Sequence, residues 1–265
     1  MMARKTTSTS PPRSFVVIPA RYGSTRLPKK MLLRQTGKTL LQHTYEAAVA
    51  ATRPTGVLVA TDHAEIAAEV ERFRGEFMMT SPDCASGTDR VAEVARKLPR
   101  ADILVNVQGD EPEMSPENID RVIELLEQDP SARMATLATP LPSPEQLNNP
   151  ACVKVVFDNE GRALYFSRSP IPFIRDLPVE NLKDPRPFND PPLFYQHLGI
   201  YSYRRDALLE FASLPPSTLE NAEKLEQLRV LQAGHTILIG VVQHASSGID
   251  TPADYAAFVA RRKAG

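Results

Sequence analysis

The sequence predicts one α/β domain with a mostly parallel central sheet and helices on both faces. Three observations carry that expectation. Short apolar runs recur without alternation, as in strands buried on both sides. Segments with apolar residues at helical spacing follow these runs one by one, the pattern of parallel β–α units. A chain of 265 residues with 42% hydrophobic content can bury one sizeable core.

The elements follow in order. Phe15–Ile18 is the first strand. Leu40–Ala51 reads as a helix, closed by Arg53 and Pro54, because the residue before a proline disfavours the helical region. Val57–Thr61 is a second strand, and His63–Phe73 a helix with Ile66, Val70 and Phe73 at helical spacing. Glu76–Thr80 gives a third strand, and Thr88–Leu98 a helix carrying Val91, Val94 and Leu98. Ile103–Val107 is a fourth strand. Pro116–Gln128 is a helix with proline in its first turn, where the missing N–H is harmless. On pattern alone this half has the form of a nucleotide-binding unit.

The second half changes character. Residues 140–192 hold 11 of the 24 prolines. Val153–Phe157 and Ala163–Ser167 read as strands around a hairpin-like turn at Asn159, Glu160 and Gly161. Residues 169–192 contain seven prolines and form neither helix nor central strand, since proline lacks the N–H donor. Gln196–Tyr203 is a strand, Arg205–Leu214 and Leu219–Ala233 are helices, Ile237–Val242 is the last strand and Pro252–Arg262 the last helix. No internal repeat and no linker between two cores is visible.

Composition removes whole function classes. With 31 Lys and Arg against 32 Asp and Glu, the formal net charge is −1, so a sequence-independent nucleic-acid binder is excluded. No apolar run approaches a membrane span, and residues 1–14 lack the apolar stretch of a secretory signal. The tail 1–14 is expected to be disordered and the chain cytoplasmic. Cys84 and Cys152 have neither CxxC spacing nor a nearby histidine cluster, so two buried reduced thiols are expected rather than a zinc site or disulfide framework.

Four segments carry chemistry. The loop after the first strand, from Pro19 to Lys30, places Arg21, Arg26, Lys29 and Lys30 among small residues, where an open α/β sheet binds its ligand. Cations with backbone N–H groups suit a polyphosphate. Gly37-Lys38-Thr39 is not a phosphate-binding P-loop, because Leu32 stands where that motif needs glycine; it reads as a turn before a helix. Ser86 to Arg90 opens a helix; Ser86 and Asp89 fit a capping box, and Arg90 stands out as a ligand candidate. Val105 to Pro112 ends the fourth strand with Gln108, Asp110 and Glu111 close together, the place for a Mg²⁺ carboxylate beside a phosphate site. Asp250 is either a helix N-cap before Pro252 or a second metal carboxylate. No nucleophile motif is present.

Together these strings resemble the 3-deoxy-manno-octulosonate cytidylyltransferases, also called CMP-Kdo synthetases. The matching segments are IPARYGSTRLP (18–28), ATDHAEIA (60–67), SGTDRVAEV (86–94), VNVQGDEP (105–112), VKVVFDNEGRALYFSRSPIPF (153–173), HLGIYSYR (197–204), LEQLRVL (225–231) and GIDTPADY (248–255). The resemblance implies a nucleotide-diphospho-sugar-transferase-like, Rossmann-like domain over 15–265. Residues 15–139 are then mainly nucleotide-binding, and 140–235 form an inserted β-rich region for the sugar and a homodimer contact. It implies transfer of a cytidylyl group from CTP to 3-deoxy-D-manno-oct-2-ulosonate (Kdo) for lipopolysaccharide biosynthesis, with release of pyrophosphate. Another acidic sugar, such as 8-amino-Kdo or a sialic acid, is the alternative acceptor; a nucleotide-binding module without turnover is a further rival.

The resemblance also implies roles. Asp110 and Asp250 match Mg²⁺ ligands. Arg21, Arg26 and Lys30 match phosphate contacts of catalytic importance. Ala20, Ser24, Ser86, Gly87, Arg90 and Gln108 match further CTP contacts. Arg168, His197, Tyr201, Glu226 and Gln227, with Gln108, match the Kdo pocket, Arg168 as partner of its carboxylate. Two departures stand out: Lys29 and Met31 replace a glycine and a proline of the family pattern, and a position built for glycine can demand positive φ. The proline-rich connection between Arg168 and His197 is expected to stiffen the sugar pocket.

Overall fold

The computed structural model describes residues 12–24, 26–175, 188, 191–243, 245–246 and 248–264. The strands are β1 (Ser14–Ala20), β2 (Gly56–Thr61), β3 (Phe77–Met79), β4 (Ile103–Asn106), β5 (Met134–Pro140), β6 (Lys154–Phe157), β7 (Ala163–Ser167), β8 (Tyr195–Arg204) and β9 (Ile237–Val241). The helices are α1 (Leu40–Val49), α2 (Ala64–Arg72), α3 (Gly87–Lys97), α4 (Pro116–Gln128), α5 (Pro144–Asn148), α6 (Arg205–Phe211), α7 (Thr218–Glu223), α8 (Gln227–Gln232) and α9 (Pro252–Ala264).

The main sheet runs β3-β2-β1-β4-β8-β5-β9, with the β6–β7 hairpin attached at β8. β3, β2, β1 and β4 are parallel, as are β5 and β9, while β8 runs antiparallel between β4 and β5. The sheet is thus mostly parallel with one reversed strand at its centre. Successive residues of β1 serve opposite faces: Phe15 and Val17 join a core with Val91 and Val94 of α3 and Leu208 of α6. Val16 and Ile18 join the other core, with Leu41 of α1, Val70 of α2 and Ile119 of α4. Both faces are covered, which is why these strands read as unbroken apolar runs.

Local chemistry sets the helix starts near the site. Thr39 caps α1 by accepting from the Gln42 N–H at 3.2 Å, after a turn in which Gly37 has φ 89°. Ser86 and Asp89 form the expected capping box on α3. At α9 the cap is Thr251: its hydroxyl accepts from the Asp254 N–H, and the Asp254 carboxylate accepts from the Thr251 N–H at 2.8 Å. Asp250 is therefore not the capping side chain.

Three expectations need correction. β5 and the short α5 were not foreseen; the Met, Ala and Leu of β5 favour helix, and burial between β8 and β9 overrides that preference. The single helix over Leu219–Ala233 is two, broken at Lys224, whose φ of 54° ends α7. The thiols of Cys84 and Cys152 are free but only half-buried. β1 already begins at Ser14, and the Arg13 N–H donates to Asp102 at 2.8 Å. The tail expectation otherwise concerns residues 1–11, and the proline-rich expectation mostly 176–187 and 189–190; both lie outside the described residues.

Candidate active site

The site forms where three chain segments meet at the C-terminal ends of β1 and β4. The loop after β1 is anchored by Leu27, which packs with Leu40, Ile249 and Phe258. It closes in a 3-10 turn, Lys30–Leu32, entered through Lys29 at φ 53°. The backbone at this position is thus the left-handed one suggested by the glycine-to-lysine departure. The Lys29 side chain reaches Glu65 at 3.4 Å and covers the Tyr22 ring. It lies outside the lining of the site described below.

Gly109 brings the second segment close. A Cβ there would lie 3.0 Å from the Pro19 carbonyl oxygen and 3.1 Å from Met31 Sδ, so glycine lets the β4 loop sit against the β1 loop without pushing either neighbour away. The third segment is tied on by backbone: the Ile249 N–H donates to the Asp110 carbonyl at 2.9 Å. Asp110 and Asp250 consequently converge on one ammonium. Lys30 Nζ donates to Asp110 Oδ2 at 2.6 Å and to Asp250 Oδ1 at 3.0 Å, and Arg26 pairs with Asp250 at 3.1 Å. The Lys30 side chain is 9% exposed, so the ammonium of this ion cluster is sheltered, while Arg26 and Asp250 stay open to solvent.

A polar cavity of about 490 Å³ opens above it. Its lining includes Arg21, Ser24, Arg26, Lys30, Asp110 and Asp250 on one side and Ser86, Gly87, Arg90 and Gln108 on the other. Every residue foreseen for the nucleotide except Ala20, which is buried in β1, lines this space. Arg90 is braced within the wall, pairing with Asp62 at 2.8 Å and donating to the Thr80 hydroxyl. The Ser86 hydroxyl accepts from the Asp89 N–H, and the first-turn N–H groups of α3 face the same wall.

A second cavity of about 300 Å³ adjoins the first, with Ser86, Gly87, Gln108 and Glu226 in both linings. Its own lining adds Thr88, Asn106, Gly199, Tyr201, Tyr203, Gln227 and Arg229. Tyr201 is aimed by a bulge: β5–β8 pairing jumps from Thr136–Tyr201 to Leu137–Leu198. The Thr136 hydroxyl donates to the Ile200 carbonyl at 2.7 Å, with that of Leu198 at 3.1 Å, serving a group the bulge frees. The Tyr201 hydroxyl donates to Gln227 Oε1 at 3.2 Å, and the buried Gln227 Nε2 has no hydrogen-bond partner among the described residues. Burial pushes the Glu226 carboxyl above its usual range, with a Thr88 hydrogen bond opposing that.

Arg168 and His197 line neither cavity. The Arg168 guanidinium gives three of its five N–H groups to backbone carbonyls: Nε to Glu223 at 2.7 Å, Nη1 to Pro150 at 2.9 Å and Nη2 to Lys224 at 3.4 Å. His197 is buried against Phe166 and Tyr201, with Nε2 3.0 Å from the Thr136 hydroxyl. Burial pushes its imidazole down to about 3, so the ring is neutral. Met31, Cys84 and Ala85 join the larger lining and Thr88 the smaller, none of them foreseen as a ligand contact.

The donor set suits Mg²⁺. Two carboxylates already hold a cationic group between them, and no group of three or more His, Cys, Asp or Glu that could hold a metal occurs among the described residues. One or two carboxylates completed by phosphate oxygens and water is the usual Mg²⁺ arrangement.

Comparison with known proteins agrees with this architecture. The family model described as cytidylyltransferase matches residues 15–237. A 3-deoxy-manno-octulosonate cytidylyltransferase of Rhodopirellula baltica is 48% identical, over 94% of this chain and 98% of its own length. The enzyme of that name from Geobacter sulfurreducens is 49% identical, over 90% and 94%. A solved CMP:2-keto-3-deoxy-manno-octonic acid synthetase complexed with CTP superposes with a TM-score of 0.86 at 41% identity, covering 95% of this chain and 99% of that one. A cytidylyltransferase from Leptospira borgpetersenii shares the fold, with a TM-score of 0.62 at 14% identity, over 96% of this chain and 88% of its own. This chain belongs to the cytidylyltransferase family, among the 3-deoxy-manno-octulosonate cytidylyltransferases.

Proposed function

We infer that this protein transfers the cytidylyl group of CTP to Kdo, giving CMP-Kdo and pyrophosphate, as a step of lipopolysaccharide biosynthesis. The observation that carries the reading is the convergence of Arg26, Lys30, Asp110 and Asp250 on the floor of the larger cavity. Arg21, Arg26 and Lys30 take the triphosphate, and Ser24 with the first turn of α3 adds hydrogen bonds. Arg90 and Gln108 bound the nucleoside side, over Ala20 at the end of β1. The anomeric hydroxyl of the sugar attacks the α-phosphorus in line and gives its proton to solvent, the bond to pyrophosphate breaks, and no covalent enzyme intermediate forms. Lys30, released from the carboxylates by the incoming phosphates, neutralises charge on the reacting phosphoryl group.

Asp110 and Asp250 would hold Mg²⁺, which when bound supplies Lewis-acid neutralisation of the phosphate oxygens. The adjoining cavity takes the sugar: Tyr201, Glu226, Gln227 and Gln108 face its hydroxyls and carboxylate. Arg168 supports this pocket by holding the carbonyls at the end of α7, and His197 by packing under Tyr201.

Among the described residues no helix is long and apolar enough to cross a membrane. A cytoplasmic homodimer that does not bind nucleic acid goes with the reading. The test is release of pyrophosphate from CTP, Kdo and Mg²⁺ by the pure protein, with 8-amino-Kdo and a sialic acid as competing acceptors. A kcat/KM highest for Kdo is expected. Absence of pyrophosphate overturns the function, and preference for another acid overturns the acceptor.

A further inference from the structure

The wall between the two cavities contains a contact that the transfer reaction, as derived above, does not use. Thr88 is the second residue of α3, immediately after Gly87, and its hydroxyl donates to Glu226 Oε2 at 2.8 Å. Glu226 is the one acid common to both linings. It stands at the start of α8, two positions beyond the break at Lys224.

The backbone of that break is held from behind. Leu225 and Gln227, on either side of Glu226, are buried, and Arg168 donates to the Glu223 and Lys224 carbonyls. The Glu226 side chain lines both cavities, beside Gln227 in the smaller one. Among the described residues its hydrogen-bond donor is Thr88. A β-branched side chain in a helix has few χ1 rotamers, so the Thr88 hydroxyl is a stiff post for a flexible carboxylate. A carboxylate already aimed loses less freedom when a ligand arrives, which favours binding.

We propose that Thr88 is a positioning residue that aims the Glu226 carboxylate at the acceptor sugar. This deepens the assignment of the smaller cavity to the sugar and rests on it. Because Thr88 shares the first turn of α3 with Gly87, the same turn serves the nucleotide through its N–H groups and the sugar through a side chain.

The experiment compares Thr88→Val, which keeps the shape and removes the hydroxyl, with Thr88→Ser, which restores the hydroxyl. In the Thr88→Val protein the KM for Kdo rises on the order of tenfold while the KM for CTP stays within about twofold; Thr88→Ser returns the Kdo KM to near the wild-type value. In a cycle with Glu226→Gln the two effects are non-additive. An unchanged Kdo KM, an equal rise in both KM values, or a serine variant that behaves like valine overturns the proposal. Kdo binding to the protein without CTP, followed by calorimetry, gives a readout independent of turnover: it weakens in Thr88→Val, and unchanged binding overturns the proposal even if the wild type releases no pyrophosphate. A wild type without turnover counts against the function itself.

Discussion

The two cavities are built by opposite means. The larger one takes three cations, Arg21, Arg26 and Lys30, from a single loop after β1 and a fourth, Arg90, from α3, and its carboxylates are Asp110, Asp250 and Glu226. The smaller one gathers Gln108, Tyr201, Glu226 and Gln227 from the ends of β4, the middle of β8 and a helix break. Charge dominates the first; aromatic walls, a bulge and single hydrogen bonds shape the second. The contrast follows from the ligands each fits. A triphosphate is bound by its charge and tolerates several arrangements of cations, whereas an acidic sugar is told from its relatives by hydroxyl positions, which need side chains fixed one at a time.

The strongest way to break this comparison is Lys30→Met. It leaves Asp110 and Asp250 facing one another without their ammonium and removes a phosphate ligand. A loss of kcat/KM of at least about a hundredfold is expected in the pyrophosphate assay. A loss below about tenfold would show that the nucleotide cavity does not depend on this cluster. Tyr201→Phe sharpens the division from the other side. Removing one hydroxyl that holds Gln227 raises the Kdo KM about five- to tenfold and leaves the CTP KM unchanged, as initial-rate kinetics would record. A matching rise in the CTP KM would mean the two cavities act as one.

The smallest effect concerns stability. Glu93 accepts from Lys97 Nζ at 2.7 Å and from the Ser81 N–H at 2.8 Å, tying α3 to the segment that leads into the nucleotide wall. The Lys97 hydrogen bond first, and the Ser81 N–H second, bring its carboxyl down from an ordinary 4.5 to about 2. A depressed carboxyl contributes stability in full above its unfolded value and loses it as pH falls from about 4.5 to about 2. Glu93→Gln is expected to cost about 1 kcal/mol at neutral pH, with the gap to wild type closing toward pH 2 in denaturant titrations. A gap that persists in acid would assign the effect to packing rather than charge.

Much of the nucleotide side was legible because its signals are local. The cationic loop, the Ser86–Asp89 cap and the turn at Gly37 each lie within a few residues, and backbone chemistry reads over that range. The Lys29 position behaved as a glycine site, with φ 53°. The sugar side was less legible. β5 has the composition of a helix and becomes a strand only because β8 and β9 flank it. Lys224 carries no sequence mark of a helix break, yet its left-handed φ splits α7 from α8 and turns Glu226 toward the cavities. Arg168 and His197 matched a ligand pattern, but their side chains found carbonyls and a threonine hydroxyl first.

Fold class, the starts of α1 to α4 and the identity of the charged groups therefore came from residue order alone, because propensity, capping and apolar periodicity act between near neighbours. Partnership did not. Asp110 lies 80 positions from Lys30 and Asp250 lies 220, and nothing in either neighbourhood states that they meet. The close packing of Gly109 on Pro19 and the hydrogen bond from Ile249 to Asp110 decide it. Whether Asp250 caps a helix or faces a cation was likewise settled by Thr251 taking the cap. Such choices depend on which groups burial brings within hydrogen-bonding reach, and that distance exists only once the chain is folded.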